Sequence, residues 1–388
     1  MDEWLRTTVE HVSVSKTKNT QRIALVLSGF PRRSETFALN DVLALDERGL
    51  LAGIFTTKPG DGHPPHPDYQ RLRTPVQILT GENAAEQSRD LVNCLNGSPV
   101  AGVHAYFAHL PAEVAAHAAR QLNVPYGFNA HARDVRKVMP EELASRARQA
   151  ACVLACNDDV IPVLAGGGSA VQFVSHGVDS QRFRPYPFAP VWPFRLLAVG
   201  RLVEKKGFAQ LIEAVAQLSV PFRLRIFGDG PERGRLTEAI RAADLSDHVE
   251  LCASQTHAEL PQEYARAHVV VVPSIVDSTG DRDGLPNVVL EAMASGRPVV
   301  ASNAGAISSA IVSGHSGFLV PPGNTIALTR ILEWLAGRPG LWPELGRNGR
   351  ARVVHDFELR ACTERLCRLL ECVYLEARFQ PGPRSAIA

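Results

Sequence analysis

Short apolar runs alternate along this chain with longer stretches in which apolar residues recur every three or four positions. Before residue 185 the runs fall at 23–27, 51–56, 76–79, 103–107, 126–129, 152–155 and 171–174. After residue 193 they fall at 195–199, 223–227, 248–251, 269–272, 299–301 and 318–320. Runs this short, bounded by turn residues, predict strands buried on both faces. The stretches between them predict helices at 36–46, 112–122, 141–150, 208–218, 231–243, 260–267 and 286–294, with a last one at 358–377. Strand and helix in alternation predict an α/β protein with parallel sheets. The pattern breaks at Pro185-Tyr-Pro-Phe-Ala-Pro-Val-Trp-Pro193, four prolines in nine residues, which neither a helix nor a central strand tolerates. This seam divides the chain into a domain at 1–188, a second at 189–357, and a terminal helix with a frayed tail at 358–388. Two doubly wound sheets turn the carboxyl ends of their strands toward ligands, so a shared cleft between them is expected.

Composition narrows the class. A chain of 388 residues, 45% hydrophobic and 21% charged, is an ordinary globular protein of two domains. A net charge of +1 argues against a nucleic-acid binder, and the 19 Lys and Arg up to residue 188 are matched by 19 Asp and Glu. Bulk charge therefore shows no polybasic membrane anchor in that half. Residues 1–20 are polar and mixed in charge, unlike a secretory leader, and no apolar run approaches the ~20 residues of a spanning helix. The seven cysteines are scattered. Neither Cys152 and Cys156 nor Cys362, Cys367 and Cys372 show the paired short spacing of a zinc site, so no metal is expected and the cytoplasm is the expected location.

The chemistry concentrates in Asp281-Arg-Asp-Gly-Leu-Pro-Asn-Val-Val-Leu-Glu291-Ala-Met-Ala-Ser-Gly296. It reads as strand end, acidic glycine loop and helix, with Pro286 in the first helical turn, where a missing N–H costs nothing. Gly284 lets the backbone approach a ligand, and the helix start offers N–H groups to an anion. Asp283 and Glu291 are then fixed on either side of that anion site. The layout suits a phosphate flanked by two hydroxyl-rich rings, which describes a nucleotide sugar.

The Asp283-x7-Glu291 spacing with its Ala-Met-Ala-Ser-Gly tail resembles the acidic signature of family 4 of the retaining glycosyltransferases, with Asp as the first acid. Matching segments run from about residue 22 to residue 322. The resemblance implies the GT-B fold: two Rossmann-like domains facing a central cleft, with a terminal helix crossing back to the first. It also implies residue roles. In Leu197-Ala-Val-Gly-Arg-Leu-Val-Glu-Lys-Lys-Gly207, Arg201 and Lys206 would grip the donor diphosphate, fixed cations being suited to a leaving group that gains charge. Gly228 and Gly230 in Gly228-Asp-Gly-Pro231 would line the nucleotide pocket, chiefly by close packing. Glu291 would hold the ribose diol, with Asp283 by the sugar and Gly284, Leu285 and Pro286 beside the phosphates.

In the first domain, Gly29-Phe-Pro-Arg-Arg-Ser-Glu-Thr-Phe37 resembles a loop of bacterial polysaccharide-building members. Gly29 would lie near the donor phosphates, and Arg32, Arg33 and Glu35 near the acceptor, while Ser34 or Thr36 caps the following helix. His131, in Phe128-Asn-Ala-His131-Ala-Arg-Asp134, matches a His near the transferred sugar, with Ala132 replacing the usual Gly and Asp134 placed to orient the ring. His176 reads as a turn residue satisfying backbone groups. Ser309 stands where an acidic residue is expected, which weakens any carry-over of donor contacts from that loop.

The implied activity is metal-independent, retaining transfer of a hexosyl group from a nucleotide-diphosphate sugar to a saccharide or lipid-linked saccharide. No cofactor is expected beyond the donor, and membrane contact is expected only at the periphery. The spacing of Asp281 and Asp283 would also suit a metal, but both head the donor helix, and Asp281 itself stays open between the two readings. An NAD-dependent oxidoreductase is disfavoured because G-x-G-x-x-G is absent. A nucleotide-sugar epimerase or phosphorylase of similar architecture, and a non-catalytic nucleotide-sugar binding module, remain alternatives.

Overall fold

A computed structural model describes residues 21–376, apart from 34, 64–65, 166–170 and 189–191. The first seven runs form β1 (Arg22–Gly29), β2 (Leu51–Lys58), β3 (Val76–Ile78), β4 (Val100–Ala105), β5 (Tyr126–Ala130), β6 (Cys152–Ala155) and β7 (Val171–Phe173). They pair in parallel in the order β3-β2-β1-β4-β5-β6-β7. The remaining six form β8 (Phe194–Val199), β9 (Phe222–Phe227), β10 (Val249–Cys252), β11 (Val269–Val272), β12 (Val299–Ser302) and β13 (Phe318–Val320). This second parallel sheet has the order β10-β9-β8-β11-β12-β13.

Each sheet is buried on both faces at its centre, where strands such as β1 and β11 carry apolar residues at successive positions. Along β1, Ala24 and Val26 enter one core cluster while Ile23, Leu25 and Leu27 enter another on the opposite face. Along β8, Phe194, Leu196 and Ala198 divide from Leu197 in the same way. Chain order reverses between β1 and β4 in the first sheet and between β8 and β11 in the second. Crevices open at the carboxyl ends of the strands at such reversals.

The proline seam is held by the second domain. Arg297 donates through Nη2 to the carbonyls of Tyr186 at 2.8 Å and Pro187 at 3.4 Å, and its guanidinium lies over the Phe188 ring. Residues 189–191 of the seam lie outside the described residues, as do Ser34, the first 20 residues and the tail after 376.

The helix Leu359–Glu371 returns to the first domain. Leu366, Cys367 and Leu370 join its core beside Leu39 and Leu43 of the helix Thr36–Glu47. Arg48 at the end of that helix pairs with Glu364 at 2.6 Å and Glu371 at 2.8 Å. A π-helical turn, Cys372–Glu376, then carries Tyr374 to His104 on β4, the hydroxyl 2.9 Å from Nδ1. Among the described residues, no helix is long and apolar enough to cross a membrane.

Candidate active site

The loops that follow β1 and β4 face those that follow β8 and β11 across a cavity of about 760 Å³. Eleven of the residues singled out from the sequence line it: Arg32, Arg33, Glu35, His131, Arg201, Lys206, Asp283, Gly284, Leu285, Pro286 and Glu291. Gly29, Gly228 and Gly230 stand behind the wall. A Cβ at Gly29 would meet the Pro59 carbonyl at 2.4 Å, and one at Gly228 the Gly200 carbonyl at 1.9 Å. Both glycines therefore serve backbone approach between neighbouring loops. A second cavity, of about 500 Å³ between Arg195, Arg223 and Arg225, shares no lining residue with the first.

The second-domain wall is built on ion pairs. Lys206 Nζ lies 2.8 Å from Asp283 Oδ2, which also accepts a hydrogen bond from Ser274 Oγ at 2.7 Å. Burial alone would push the Asp283 carboxyl up, but Lys206, Lys205 and Ser274 outweigh it and hold it below the ordinary carboxylate range. Asp283 is thus an ionised anchor that fixes the Lys206 ammonium at the cavity wall. Lys205, which the sequence did not separate from its neighbour, is buried and pairs with Asp281 at 3.0 Å. Arg133 at 3.7 Å and Arg136 at 3.8 Å approach the same carboxylate from the first domain, so Asp281 is a hub of ion pairs between the domains. Arg201 is exposed and has no ion pair among the described residues.

Pro286 caps the helix Asn287–Ala294 in extended conformation (φ −67°, ψ 135°) and does not enter its first turn. Of the first-turn amides, Val289 N donates to the Pro286 carbonyl at 3.0 Å, while those of Asn287 and Val288 have no acceptor within the helix. Asn157 of the first domain reaches across to this loop, its Oδ1 accepting from Leu285 N at 3.3 Å. Glu291 is buried, and both carboxylate oxygens already hold protein donors: His257 Nε2 at 3.0 Å on Oε1 and Tyr264 OH at 2.7 Å on Oε2. A carboxylate offers about four acceptor sites, so each oxygen keeps capacity for one more donor from the cavity. The contacts to His257 and Tyr264 are absent from the sequence reading, which saw Glu291 only in relation to a ligand.

The first-domain wall differs from expectation at three points. Asp134 does not orient the His131 ring. Its carboxylate takes the backbone N–H groups of Ala108 and His131, the latter at 2.6 Å, and stays 3.7 Å from Nδ1. His131 is instead held by rings, its centroid 5.0 Å from Phe107, 5.3 Å from Tyr106 and 5.1 Å from His176. Both ring nitrogens are buried without a partner, and burial, with His176 and His109 beside it, keeps the imidazole neutral by lowering its pKa. His176, read from the sequence as a turn residue, lines the cleft and pairs with Asp41 at 3.3 Å. Thr36 does not cap the helix it begins: Glu35 occupies the cap position without a side-chain bond, and Thr36 Oγ1 accepts from Asn287 Nδ2 at 3.2 Å.

His131, His176 and Cys156 bring possible ligand atoms within 4.8 Å of one another. Cys156 suits a metal poorly, because burial, with Asp41 and Asp134 nearby, raises its thiol well above the ordinary range and keeps it protonated. Ser309 turns inward, Oγ donating to the Ala306 carbonyl at 2.7 Å. Its loop supports the loop at Gly284 from behind, Ala306 N donating to the Gly284 carbonyl at 3.3 Å.

Residues 181–352 match the family described as glycosyl transferases group 1. The matched span carries Arg201, Lys206, Asp283 and Glu291, the wall built on ion pairs. Over 406 residues, 91% of this chain and all of the relative, the chain is 28% identical to WcaL of Escherichia coli K12, assigned as a glycosyltransferase of colanic acid biosynthesis. It is 35% identical to the amylovoran biosynthesis glycosyltransferase AmsK of Erwinia amylovora over 183 residues, 46% of this chain and 45% of AmsK. Two solved structures share the architecture. HepE of Anabaena in complex with UDP superposes with a TM-score of 0.77 at 19% identity, covering 91% of this chain and all of that one. Sucrose-phosphate synthase of Thermosynechococcus elongatus gives 0.76 at 21% identity, covering 92% and 100%. The fold of this glycosyltransferase is GT-B.

Proposed function

We propose that this glycosyltransferase moves a sugar from a nucleotide-diphosphate donor to a hydroxyl of a saccharide, with retention of configuration and without a metal. The observation that carries the reading is one wall of the cleft: Arg201, the anchored Lys206 and the start of the helix Asn287–Ala294 lie together, with Glu291 further along the same helix. Cations and helix amides suit a diphosphate, and a buried carboxylate with spare acceptor capacity suits the ribose diol. The UDP complex of HepE and the polysaccharide roles of WcaL and AmsK support a nucleotide donor and a saccharide acceptor.

In this reading the bond from the anomeric carbon to the diphosphate breaks with both electrons leaving on oxygen. The acceptor oxygen bonds to the same face of the carbon, and its proton passes to the departing phosphate. Arg201 and Lys206 stabilise the charge that grows on the leaving group. Neutral His131 donates a hydrogen bond to the transferred sugar, and closure of the two domains excludes water. The enzyme works in the cytoplasm and meets a lipid-linked acceptor at the membrane face.

A thermal-shift screen across UDP, GDP, ADP and TDP sugars should single out one nucleotide, since a ligand of the native state stabilises it by mass action. With that donor and a saccharide acceptor, the product should retain its anomeric configuration and form in excess chelator. Inversion, or activity that is lost to chelator and restored by magnesium or manganese, would refute the corresponding part. Donor conversion that needs no acceptor would favour an epimerase.

A further inference from the structure

The first-domain wall carries more positive charge than its own carboxylates match. Arg32, Arg33, Lys58, Arg133 and Lys137 line it, against Glu35 and Asp134. Glu35 is taken by Arg32 Nη1 at 3.1 Å, and Asp134 is spent on the backbone amides of Ala108 and His131. Arg133 leans 3.7 Å from Asp281 of the other domain, and Arg33 donates to the Ser254 carbonyl at 3.3 Å. Lys58 and Lys137 are left with no ion pair among the described residues, and Arg32 Nε is buried with no acceptor.

These groups crowd one another. Burial first, then Lys137, Lys58, Arg146 and Arg32, hold His109 down to about 3, and its buried Nδ1 has no partner. Burial, then Arg133, with Lys58 and Arg32 adding, also lowers Lys137, against the pull of Asp134. Lys58 and Lys137 are exposed on this wall, and like charges gathered there are complementary to an anion. The donor diphosphate does not account for them, because its partners in the proposed reading stand on the opposite wall.

We propose that the acceptor is anionic, and that Lys58, Lys137 and Arg32 bind its phosphate or carboxylate. The inference rests on the proposed function, which makes this wall the acceptor side. It goes beyond that reading by naming the acceptor's charge and the residues that select it. A uronic acid unit and a lipid-linked diphosphate share the required chemistry.

The test measures binding of methyl glucuronide and farnesyl diphosphate, each against its neutral counterpart, methyl glucoside or farnesol. Binding is measured with and without the nucleoside diphosphate that the donor screen selects, in the parent chain and in Lys58→Glu and Lys137→Ala. One anionic probe should bind about 10-fold or more tighter than its neutral counterpart, the size expected of a charge-assisted contact. Both substitutions should erase that preference and leave nucleotide affinity within about 2-fold, the donor site lying across the cleft. Preference for the glucuronide identifies a uronic acid source, and preference for the diphosphate a lipid-linked one. Equal binding of charged and neutral probes, or a preference that survives both substitutions, overturns the proposal. Failure of every nucleotide to bind would sink the proposed function instead, and the nucleotide-free arm would still decide the acceptor's charge.

Discussion

Two cations on the second-domain wall of the cleft occupy opposite environments, and substitution should separate them. Lys206 holds a buried carboxylate, so Lys206→Ala leaves Asp283 charged and short of a partner, at a cost of roughly 3 kcal/mol. Arg201 is exposed, and its side chain makes no ion pair or hydrogen bond among the described residues. Arg201→Ala should therefore leave the melting temperature unchanged while lowering kcat on the order of 100-fold. Calorimetry and steady-state kinetics on both variants check this, and equal loss of stability would contradict the assigned environments. Glu291 depends on a chain of contacts that crosses the domains: Asp68 Oδ2 to Arg182 Nη2 at 3.1 Å, Arg182 Nη1 to His257 Nδ1 at 3.4 Å, and His257 Nε2 to Glu291 at 3.0 Å. Arginine only donates, so His257 Nδ1 must accept, and Nε2 carries the proton that Glu291 receives. Arg182→Ala frees the tautomer and should raise donor KM roughly 2–10-fold with a smaller change in kcat. Unchanged donor affinity would show that Glu291 does not need this support.

At the scale of elements, the turn that ends the terminal helix adds a buried aromatic contact to those of Leu366, Cys367 and Leu370. A Cβ at Gly102 would sit 2.3 Å from the Tyr374 ring, so the absence of a side chain there is what admits the aromatic. Gly102→Ala should destabilise the protein by about 1–3 kcal/mol through overpacking, measured by denaturant titration. His104 accepts from Tyr374 at Nδ1 and donates from Nε2 to Asn129 Oδ1 at 2.8 Å. Burial lowers its pKa from 6.5 to about 4, Asn129 opposing. Below pH 6.5 the unfolded chain takes up a proton that folded His104 refuses. The stabilisation from neutral His104 is therefore complete above pH 6.5 and is lost as pH falls toward about 4, a change on the order of 3 kcal/mol. His104→Gln should flatten the pH dependence of stability in that window. An unaltered slope would place the acid sensitivity elsewhere.

Across the whole molecule, the two domains meet at the loop that the donor is proposed to occupy. Asn157 accepts from Leu285 N at 3.3 Å, Arg136 donates to the Arg282 carbonyl at 3.2 Å, and a Cβ at Gly284 would lie 2.6 Å from Asn157 Nδ2 and 3.0 Å from the Ala132 Cβ. These contacts tie the loop at Gly284 to the first domain. Asn157→Ala should loosen this contact and admit water, raising the ratio of donor hydrolysis to sugar transfer while leaving each domain folded. Product analysis in limiting acceptor gives that ratio directly, and an unchanged ratio would show that Asn157 does not govern closure.

The apolar runs located the strands by themselves, because a run buried on both faces has little choice of environment: Val269–Val272 can only be interior, while the order of strands in each sheet came from the tertiary structure. The proline seam and the glycine loop before Asn287 were equally legible, since backbone restriction is a local property. Local sequence also placed Lys206, Asp283 and Glu291 at strand ends and helix starts, and so on one cleft. What each side chain then touches was decided by packing. Glu291 meets Tyr264 and His257, 27 and 34 residues away, only because the segment 257–264 is folded against the helix Asn287–Ala294, Tyr264 sharing a core cluster with Val289 and Leu290. Asp134 turned to two amides because a buried carboxylate takes the donors within reach, and Ala108 arrives from another strand's loop. Lys205 and Lys206 are neighbours in sequence, and the fold gave the first chiefly to Asp281 and the second to Asp283. Sequence specifies which groups reach the cleft; tertiary structure apportions their hydrogen bonds and charges, because desolvation makes each of them depend on partners that are distant in the chain.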